Sequence, residues 1–212
     1  MIYKTKPNMK NGVTWSESEY RHLGFLYHYV RLKSIQRFTE TYNLMCRALD
    51  KNLFNFVNTK KKVRIISLGG GPGFELYASR LFFENFFPDT EIEYVTLELS
   101  SRWKMPNKVL RNKYIERSFY DEDIYENVVP KFDIVIMAYT YYHYFYKKNI
   151  NILSKLFKKR NKLLLINSRV RTLKFKQNKL LTMYNLTRTS TQQIAFVKHE
   201  PIILPFRNVP YE

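Results

Sequence analysis

The chain has 212 residues, of which 45% are hydrophobic and 17% aromatic, with only 6 Gly and 8 Pro. These values suit a single domain, or one domain with a helical extension, and exclude a wholly disordered chain, a collagen-like chain and a Pro/Gly-rich linker array. The single cysteine, Cys46, excludes an internal disulfide framework and a multi-cysteine zinc site, and we predict no metal site. Because no apolar run approaches a membrane span and residues 1–12 lack an apolar core, we expect a soluble intracellular protein of the cytoplasm or nucleus, without membrane insertion or secretion.

The net charge of +18 is spread unevenly along the chain. Residues 1–62 carry a net charge of +8, residues 63–133 one of −3, and residues 134–212 one of +13. Between Asp133 and Glu200 there are 14 Lys or Arg residues and no acidic residue. An AT-rich genome explains abundant lysine, but it does not explain the loss of acidic residues from one third of the chain. The pattern favours nucleic acid as a partner, ahead of an acidic membrane surface or an acidic protein.

The first 62 residues predict a helical extension. Ser16 and Glu19 have the spacing of a capping box at a helix start. Apolar side chains then recur at spacings of three and four residues, which is typical of one face of one or two amphipathic helices. These side chains are Tyr20, Leu23, Tyr27, Val30, Phe38, Tyr42, Met45 and Leu49. We therefore divide the chain into an N-terminal helical extension, 1–62, and a main domain, 63–212.

From residue 63 onward, short apolar runs alternate with helical patterns. We predict strands at 63–68, 91–99, 114–119, 132–139 and 162–167, helices at 74–87, 103–112 and 150–157, and two more strands at 180–187 and 193–198. Alternating strands and helices indicate an α/β fold, with a parallel sheet covered by helices on both faces. The last two strands leave little room for a helix between them, so we expect an antiparallel hairpin at the end.

A glycine-rich turn follows the first predicted strand, with the sequence Gly69-Gly70-Gly71-Pro72-Gly73. Glycine permits positive φ and lets backbone N–H groups approach a ligand, and the helix that follows adds a partial positive charge. The dinucleotide fingerprint requires glycine at position 74, where this chain has Phe74, and no Gly-Lys-Ser/Thr of a P-loop follows. A tight strand-to-helix turn without a ligand is the alternative.

This strand–GxGxG–helix unit resembles the first motif of class I S-adenosylmethionine-dependent methyltransferases, which have a Rossmann-like fold. The resemblance covers about residues 63–169 and the terminal hairpin. It implies S-adenosylmethionine as the cofactor, with Glu98 at the end of the second strand accepting hydrogen bonds from the ribose hydroxyls. The loop after the third strand would hold the adenine, and the end of the fourth strand would lie beside the methyl group. The implied cofactor-binding residues are Gly69, Gly70, Gly71, Gly73, Glu75, Glu98, Leu99, Phe119, Tyr120, Asp121, Met137, Ala138 and Tyr139.

The chain departs from the family pattern at Ser67. Family members often carry a carboxylate at this position, two residues before the first glycine, and it commonly helps to hold the methionine end of the cofactor. Glu75 could compensate from the first turn of the following helix, or it could simply be favoured there by the helix dipole. The departure keeps open a methyltransferase-like subunit that has lost catalysis and serves as an RNA-binding or partner protein.

The acceptor motifs of several RNA and DNA methyltransferase groups are missing. The fourth strand ends in Met137-Ala138-Tyr139-Thr140, without Asp/Asn-Pro-Pro-aromatic and without the aspartate of a Lys-Asp-Lys-Glu set. The candidates for catalysis are Tyr142, which could stack a base, and His143, which could take a proton; both could equally be packing or solvated residues. We assign RNA binding to the basic residues that follow, and predict RNA as the acceptor, with a small molecule or a protein as the alternative. These basic residues are Lys147, Lys148, Lys158, Lys159, Arg160, Arg169, Arg171 and Lys174.

Overall fold

The computed structural model describes residues 20, 22–140, 163–168, 192–197 and 200–204. The helices are α1 (Leu23–Asp50), α2 (Phe74–Phe86) and α3 (Lys104–Val109). The strands are β1 (Lys62–Leu68), β2 (Glu91–Glu98), β3 (Lys113–Glu116), β4 (Ile134–Ala138), β5 (Leu163–Ser168), β6 (Gln192–Val197) and β7 (Glu200–Leu204). Short helical turns lie at Asn55–Thr59, Ser101–Trp103, Ile124–Val128 and Val129–Lys131. None of the helices in the described ranges is long and apolar enough to cross a bilayer.

The strands form one sheet in the order β3-β2-β1-β4-β5-β6-β7. The first five strands are parallel, and β6 and β7 add an antiparallel end. The chain moves outward from β1 in one direction through β2 and β3, and in the other direction through β4 and β5. In such doubly wound sheets, ligands bind at the carboxyl ends of the strands where the order reverses, here between β1 and β4. The predicted Rossmann-like α/β fold with an antiparallel end is confirmed.

The antiparallel end differs in detail from the prediction. The predicted strand 193–198 is β6, but its hairpin partner is β7, which we did not predict. Pro201 weakens the strand pattern of this segment, yet the edge of a sheet, where β7 lies, is where proline is tolerated. The other predicted strand, 180–187, lies outside the described residues, as does the predicted helix 150–157.

The two faces of the sheet are buried against different partners. On one face, β-strand residues such as Ile65 pack with Leu44 of α1 and Phe82 of α2 in a single cluster. On the other face, Ile66 packs with residues of the 119–132 segment. Side chains of a strand point alternately to its two faces, which is why the neighbours Ile65 and Ile66 belong to separate clusters. The N-terminal helix thus shares a core with the sheet.

The buried side of α1 confirms our helix pattern in its second half and departs from it at two positions of its first half, since Val30 packs in a core cluster but Leu23 and Tyr27 do not. Met45 is fully buried, as predicted. Leu23 and Tyr27 are instead 69% and 62% exposed. The side chains buried at this end are Phe25 and Leu26, because the first turns of α1 pack against Trp103 and Tyr114 of β3. The predicted capping box lies outside the described residues.

Candidate functional site

The glycine turn sits at the carboxyl end of β1 in a conformation that requires glycine. Gly69, Gly71 and Gly73 have φ angles of +66°, +50° and +88°. A Cβ atom on Gly69 would lie 2.5 Å from Cγ2 of Thr140, so the turn packs directly on the end of β4. Among the described residues, a Cβ on Gly71 would meet one atom within 4 Å, Nε1 of Trp103 at 4.0 Å. Within the described part of the chain, the turn is therefore closely packed at Gly69 and open at Gly71.

Asn107, on α3, holds the turn in place from the side. Its Nδ2 donates to the carbonyl oxygens of Gly71 and Trp103, both at 2.8 Å. Its Oδ1 accepts from Thr96 Oγ1 at 2.5 Å and from Asn112 Nδ2 at 3.1 Å. Asn107 is fully buried, and its hydrogen bonds with Trp103, Thr96 and Asn112 are made away from water. Asn107 was not among the predicted site residues, because an asparagine inside a short predicted helix carries no signal of its own.

Glu98 ends β2 beside the turn, as the resemblance implies. Its Oε2 accepts from the backbone N–H of Gly71 at 3.1 Å, and its Oε1 accepts from those of Leu99 at 2.9 Å and Ser100 at 3.2 Å. Burial raises the pKa of Glu98, although these three backbone hydrogen bonds act in the opposite direction. A carboxylate has about four acceptor positions, so roughly one remains, on Oε2. Glu98 therefore orients the turn and keeps a position for one further donor.

The predicted adenine loop lies next to the turn. Phe119 is 8% exposed and packs in the core, and a Cβ on Gly69 would lie 3.2 Å from its Cε1. Tyr120 is 37% exposed, with its ring centroid 4.8 Å from that of Phe119. Asp121 pairs with Arg117 at 3.5 Å, so its carboxylate already has a cationic neighbour. Tyr120 is thus the aromatic side chain of this loop that reaches the surface, and the role of Asp121 stays a prediction.

The end of β4 is tied to α1 by a network of polar side chains. Met137 is fully buried in the core, whereas Tyr139, just past the strand, has a φ of +63° that few non-glycine residues adopt. The Tyr139 hydroxyl donates to Glu40 of α1, with 2.7 Å to Oε1 and 2.6 Å to Oε2. Asn167, near the end of β5, donates from Nδ2 to Glu40 Oε2 at 2.9 Å, and Gln36 donates to Glu40 Oε1 at 2.9 Å. Glu40 thereby joins the helix to the ends of two neighbouring strands.

Two buried charged side chains face the same edge. The guanidinium of Arg37 lies 3.5 Å from the ring centroid of Tyr139, a cation–π contact. Glu75, in the first turn of α2, is 4% exposed. Burial raises the pKa of Glu75 from 4.5 to about 7, against the opposing effect of Arg37 and with smaller additions from Glu98 and Glu40. No sequence motif includes Arg37. The sequence indicates its burial only through its position two helical turns before Leu44, on the buried face of α1.

Buried polar atoms without a hydrogen-bond partner accumulate at this edge of the described structure. They include Ser67 Oγ, Glu75 Oε2, Thr140 Oγ1, Asn167 Oδ1, and Nε and Nη1 of Arg37. Buried polar groups in proteins are nearly always hydrogen-bonded to protein or to ordered water. Their concentration where the doubly wound order reverses indicates a site built for a polar ligand. Ala138, 6% exposed, lines the same strand end.

The residues that we predicted for catalysis and RNA binding lie outside the described part of the chain. This applies to Tyr142 and His143. It applies equally to the basic set Lys147, Lys148, Lys158, Lys159, Arg160, Arg169, Arg171 and Lys174. Their roles stay predictions.

No protein-family model and no curated protein matches the chain. Solved methyltransferase structures match it at low identity. Magnesium protoporphyrin IX methyltransferase (ChlM) from Synechocystis PCC 6803, with bound SAM, is 13% identical over 85% of this chain and 90% of that one, with a TM-score of 0.49. The plantazolicin methyltransferase BpumL, in complex with a monoazolic desmethylPZN analog and SAH, is 14% identical with a TM-score of 0.46, covering 68% of this chain. The chain spans 51% of the length of BpumL.

A SAM-dependent methyltransferase from Archaeoglobus fulgidus is 15% identical over 62% of this chain and 59% of that one, with a TM-score of 0.41.

Proposed function

We propose that the chain is an S-adenosylmethionine-dependent methyltransferase. The observation that carries this proposal is the convergence of a glycine turn, a strand-end carboxylate and orphaned buried polar atoms at one edge of the sheet. Within the described residues the glycine turn is open at Gly71, and Glu98 keeps one acceptor position beside it. A nucleoside with a charged tail fits this set of donors and acceptors, because it brings hydroxyl donors, an aromatic base and groups of both charges.

The residues present divide naturally among the parts of such a cofactor. Glu98 would accept from the ribose, and Tyr120 would contact the adenine. When bound, S-adenosylmethionine supplies a methyl group on a positively charged sulfur. Glu40 holds Tyr139 in a fixed orientation at the end of β4, so that Tyr139 forms one wall of the reaction space. Holding the reacting groups in place supplies a large part of the rate acceleration in transfers of this kind.

Calorimetric titration with S-adenosylmethionine and S-adenosylhomocysteine (SAH) tests the proposal. We expect one site with a dissociation constant in the micromolar range. Glu98→Ala should weaken SAH binding by about tenfold or more, since a hydrogen bond to a charged group contributes about 1.5–3 kcal/mol. Glu91→Ala is the matched control, because Glu91 lies at the amino end of the same strand, away from the candidate site. A well-folded protein that binds neither compound would refute the proposal.

We further propose RNA as the methyl acceptor. The support is the sequence: residues 134–212 carry a net charge of +13, with no acid between Asp133 and Glu200. If these cations neutralise phosphates, RNA affinity should fall steeply as salt rises. Replacing Lys158, Lys159 and Arg160 together by serine should weaken RNA binding and leave SAH affinity unchanged. RNA binding that is absent, or insensitive to salt and to these substitutions, would favour a small-molecule or protein acceptor.

A further inference from the structure

Two oppositely charged side chains are buried close together at the candidate site without forming an ion pair. Arg37 is 9% exposed and Glu75 is 4% exposed. Each influences the ionisation of the other: Arg37 lowers the pKa of Glu75, and Glu75 raises that of Arg37. Among the described residues, however, no ion pair within 4.0 Å joins them. Direct pairing therefore does not explain why both charges are buried here.

Both side chains also keep polar atoms that nothing in the described structure satisfies. Nε and Nη1 of Arg37 and Oε2 of Glu75 are buried without a hydrogen-bond partner. The planar face of Arg37 rests on the ring of Tyr139, which fixes the guanidinium and leaves its edge to donate. The unsatisfied donors of Arg37 and the unsatisfied acceptor of Glu75 lie farther apart than an ion pair. A ligand between them could bind to both.

The ligand chemistry follows from the two charges. A guanidinium binds a carboxylate best, through paired N–H donors. A carboxylate with a free oxygen binds an ammonium group. One small group carries both charges within a few ångströms, the zwitterionic end of an α-amino acid.

The position of the pair connects it to the glycine turn. Glu75 lies two residues after Gly73, and Arg37 lies over Tyr139 at the end of the adjacent strand β4. A ligand bound along the turn would therefore have one end between them. Ser67, at the position where the resembling family often has a carboxylate, offers only a hydroxyl.

We propose that Arg37 and Glu75 together bind the amino-acid end of the cofactor, Arg37 its carboxylate and Glu75 its ammonium group. This inference rests on the proposed function. It makes the N-terminal helix a part of the cofactor site and not an appendage to it, since Arg37 belongs to α1. Two residues from different helices would thus hold the methionine end of the cofactor, for which the resembling family often uses a carboxylate at the position of Ser67.

The experiment compares two ligands that differ only at the proposed subsite. SAH carries the amino-acid end, whereas 5′-methylthioadenosine keeps the adenosine and the thioether but lacks it. Both are titrated calorimetrically into the wild-type protein and into Arg37→Met, Arg37→Lys and Glu75→Gln. Arg31→Met on α1 and Glu84→Gln on α2 are matched controls, because both side chains are exposed on the same helices.

We expect Arg37→Met and Glu75→Gln to weaken SAH binding by about tenfold or more, as lost charge-assisted hydrogen bonds require. Affinity for 5′-methylthioadenosine should stay within about twofold, and the control variants should match the wild type for both ligands. Arg37→Lys keeps the charge without the paired donors, so its affinity for SAH should lie between those of the wild type and Arg37→Met. It also tests the assignment by itself if Arg37→Met fails to fold.

The remaining outcomes overturn the inference in distinguishable ways. If the variants lose both ligands equally, Arg37 and Glu75 act through the fold and do not recognise the amino-acid end. If they lose neither, the amino-acid end binds elsewhere. If the folded wild type binds neither ligand, the proposed function itself fails.

Discussion

Replacing Glu75 by glutamine removes a buried carboxylate while keeping the size and shape of the side chain. Glu75 lies in the first turn of α2, and Arg37, Glu40 and Glu98 are the charged groups that face it. Burial raises its pKa from 4.5 to about 7, so in the folded protein the proton is held more tightly than in the unfolded chain. Its ionisation therefore works against folding.

The pH range follows from these two values. Below about pH 4.5 the carboxyl is protonated in both states, and its burial carries no charge penalty. As the pH rises from 4.5 to about 7, the unfolded chain loses the proton first, so the free energy of unfolding falls. Above about pH 7 both states are ionised and the loss is complete. A difference of about 2.5 pKa units at 1.36 kcal/mol per unit gives a loss of about 3 kcal/mol.

The assay is urea denaturation of the ligand-free protein at a series of pH values between 4.5 and 8. We subtract the free energy of unfolding of the wild type from that of Glu75→Gln at each pH, which cancels the other titrating groups. The difference should be small near pH 4.5 and should rise to about 3 kcal/mol in favour of the variant at pH 8. Glu84→Gln, an exposed change on the same helix, should show no such rise. Parallel curves for wild type and Glu75→Gln would refute the assignment of a buried, proton-retaining carboxyl.

Three further predictions concern the turn and its ligand. Gly73→Ala should lower the free energy of unfolding by about 2 kcal/mol or more in urea titrations, because φ is +88° and the new Cβ would overlap the side chain of Asn107; an unchanged midpoint would contradict this conformation. Asn107→Ala should cost about 3 kcal/mol by the same assay, since its buried partners Thr96 and Asn112 lose their hydrogen bonds. The variant should also weaken SAH binding, because the carbonyl of Gly71 is no longer held; SAH affinity equal to that of wild type would show that Asn107 does not shape the site. At pH 7, SAH binding should release about half a proton, because an ammonium ligand drives Glu75 to its ionised form; calorimetry in buffers of different ionisation enthalpy measures this, and the release should vanish in Glu75→Gln.

Much of the fold was predictable because its signals are local. The strands β1, β2, β4 and β5 are short runs of buried apolar residues, and each was located within two residues of its observed ends. The strand β7 was missed because Pro201 interrupts the pattern, and only the sheet shows that this segment lies at an edge. The exposed Leu23 and Tyr27 show the same limit, because periodicity reports a helix but does not say which neighbour its first turns will meet.

The candidate site divides along the same line. The glycine turn and Glu98 could be predicted from the sequence alone. The turn follows β1 and Glu98 ends β2, and the carboxyl ends of parallel strands lie on the same side of a sheet. Gly71 and Glu98 accordingly share a hydrogen bond. Tertiary structure alone brought Arg37 and Asn107 into the site. These side chains enter the site from α1 and α3, whose packing on the sheet depends on contacts between residues far apart in sequence, and no local pattern encodes which polar side chain such packing will bury.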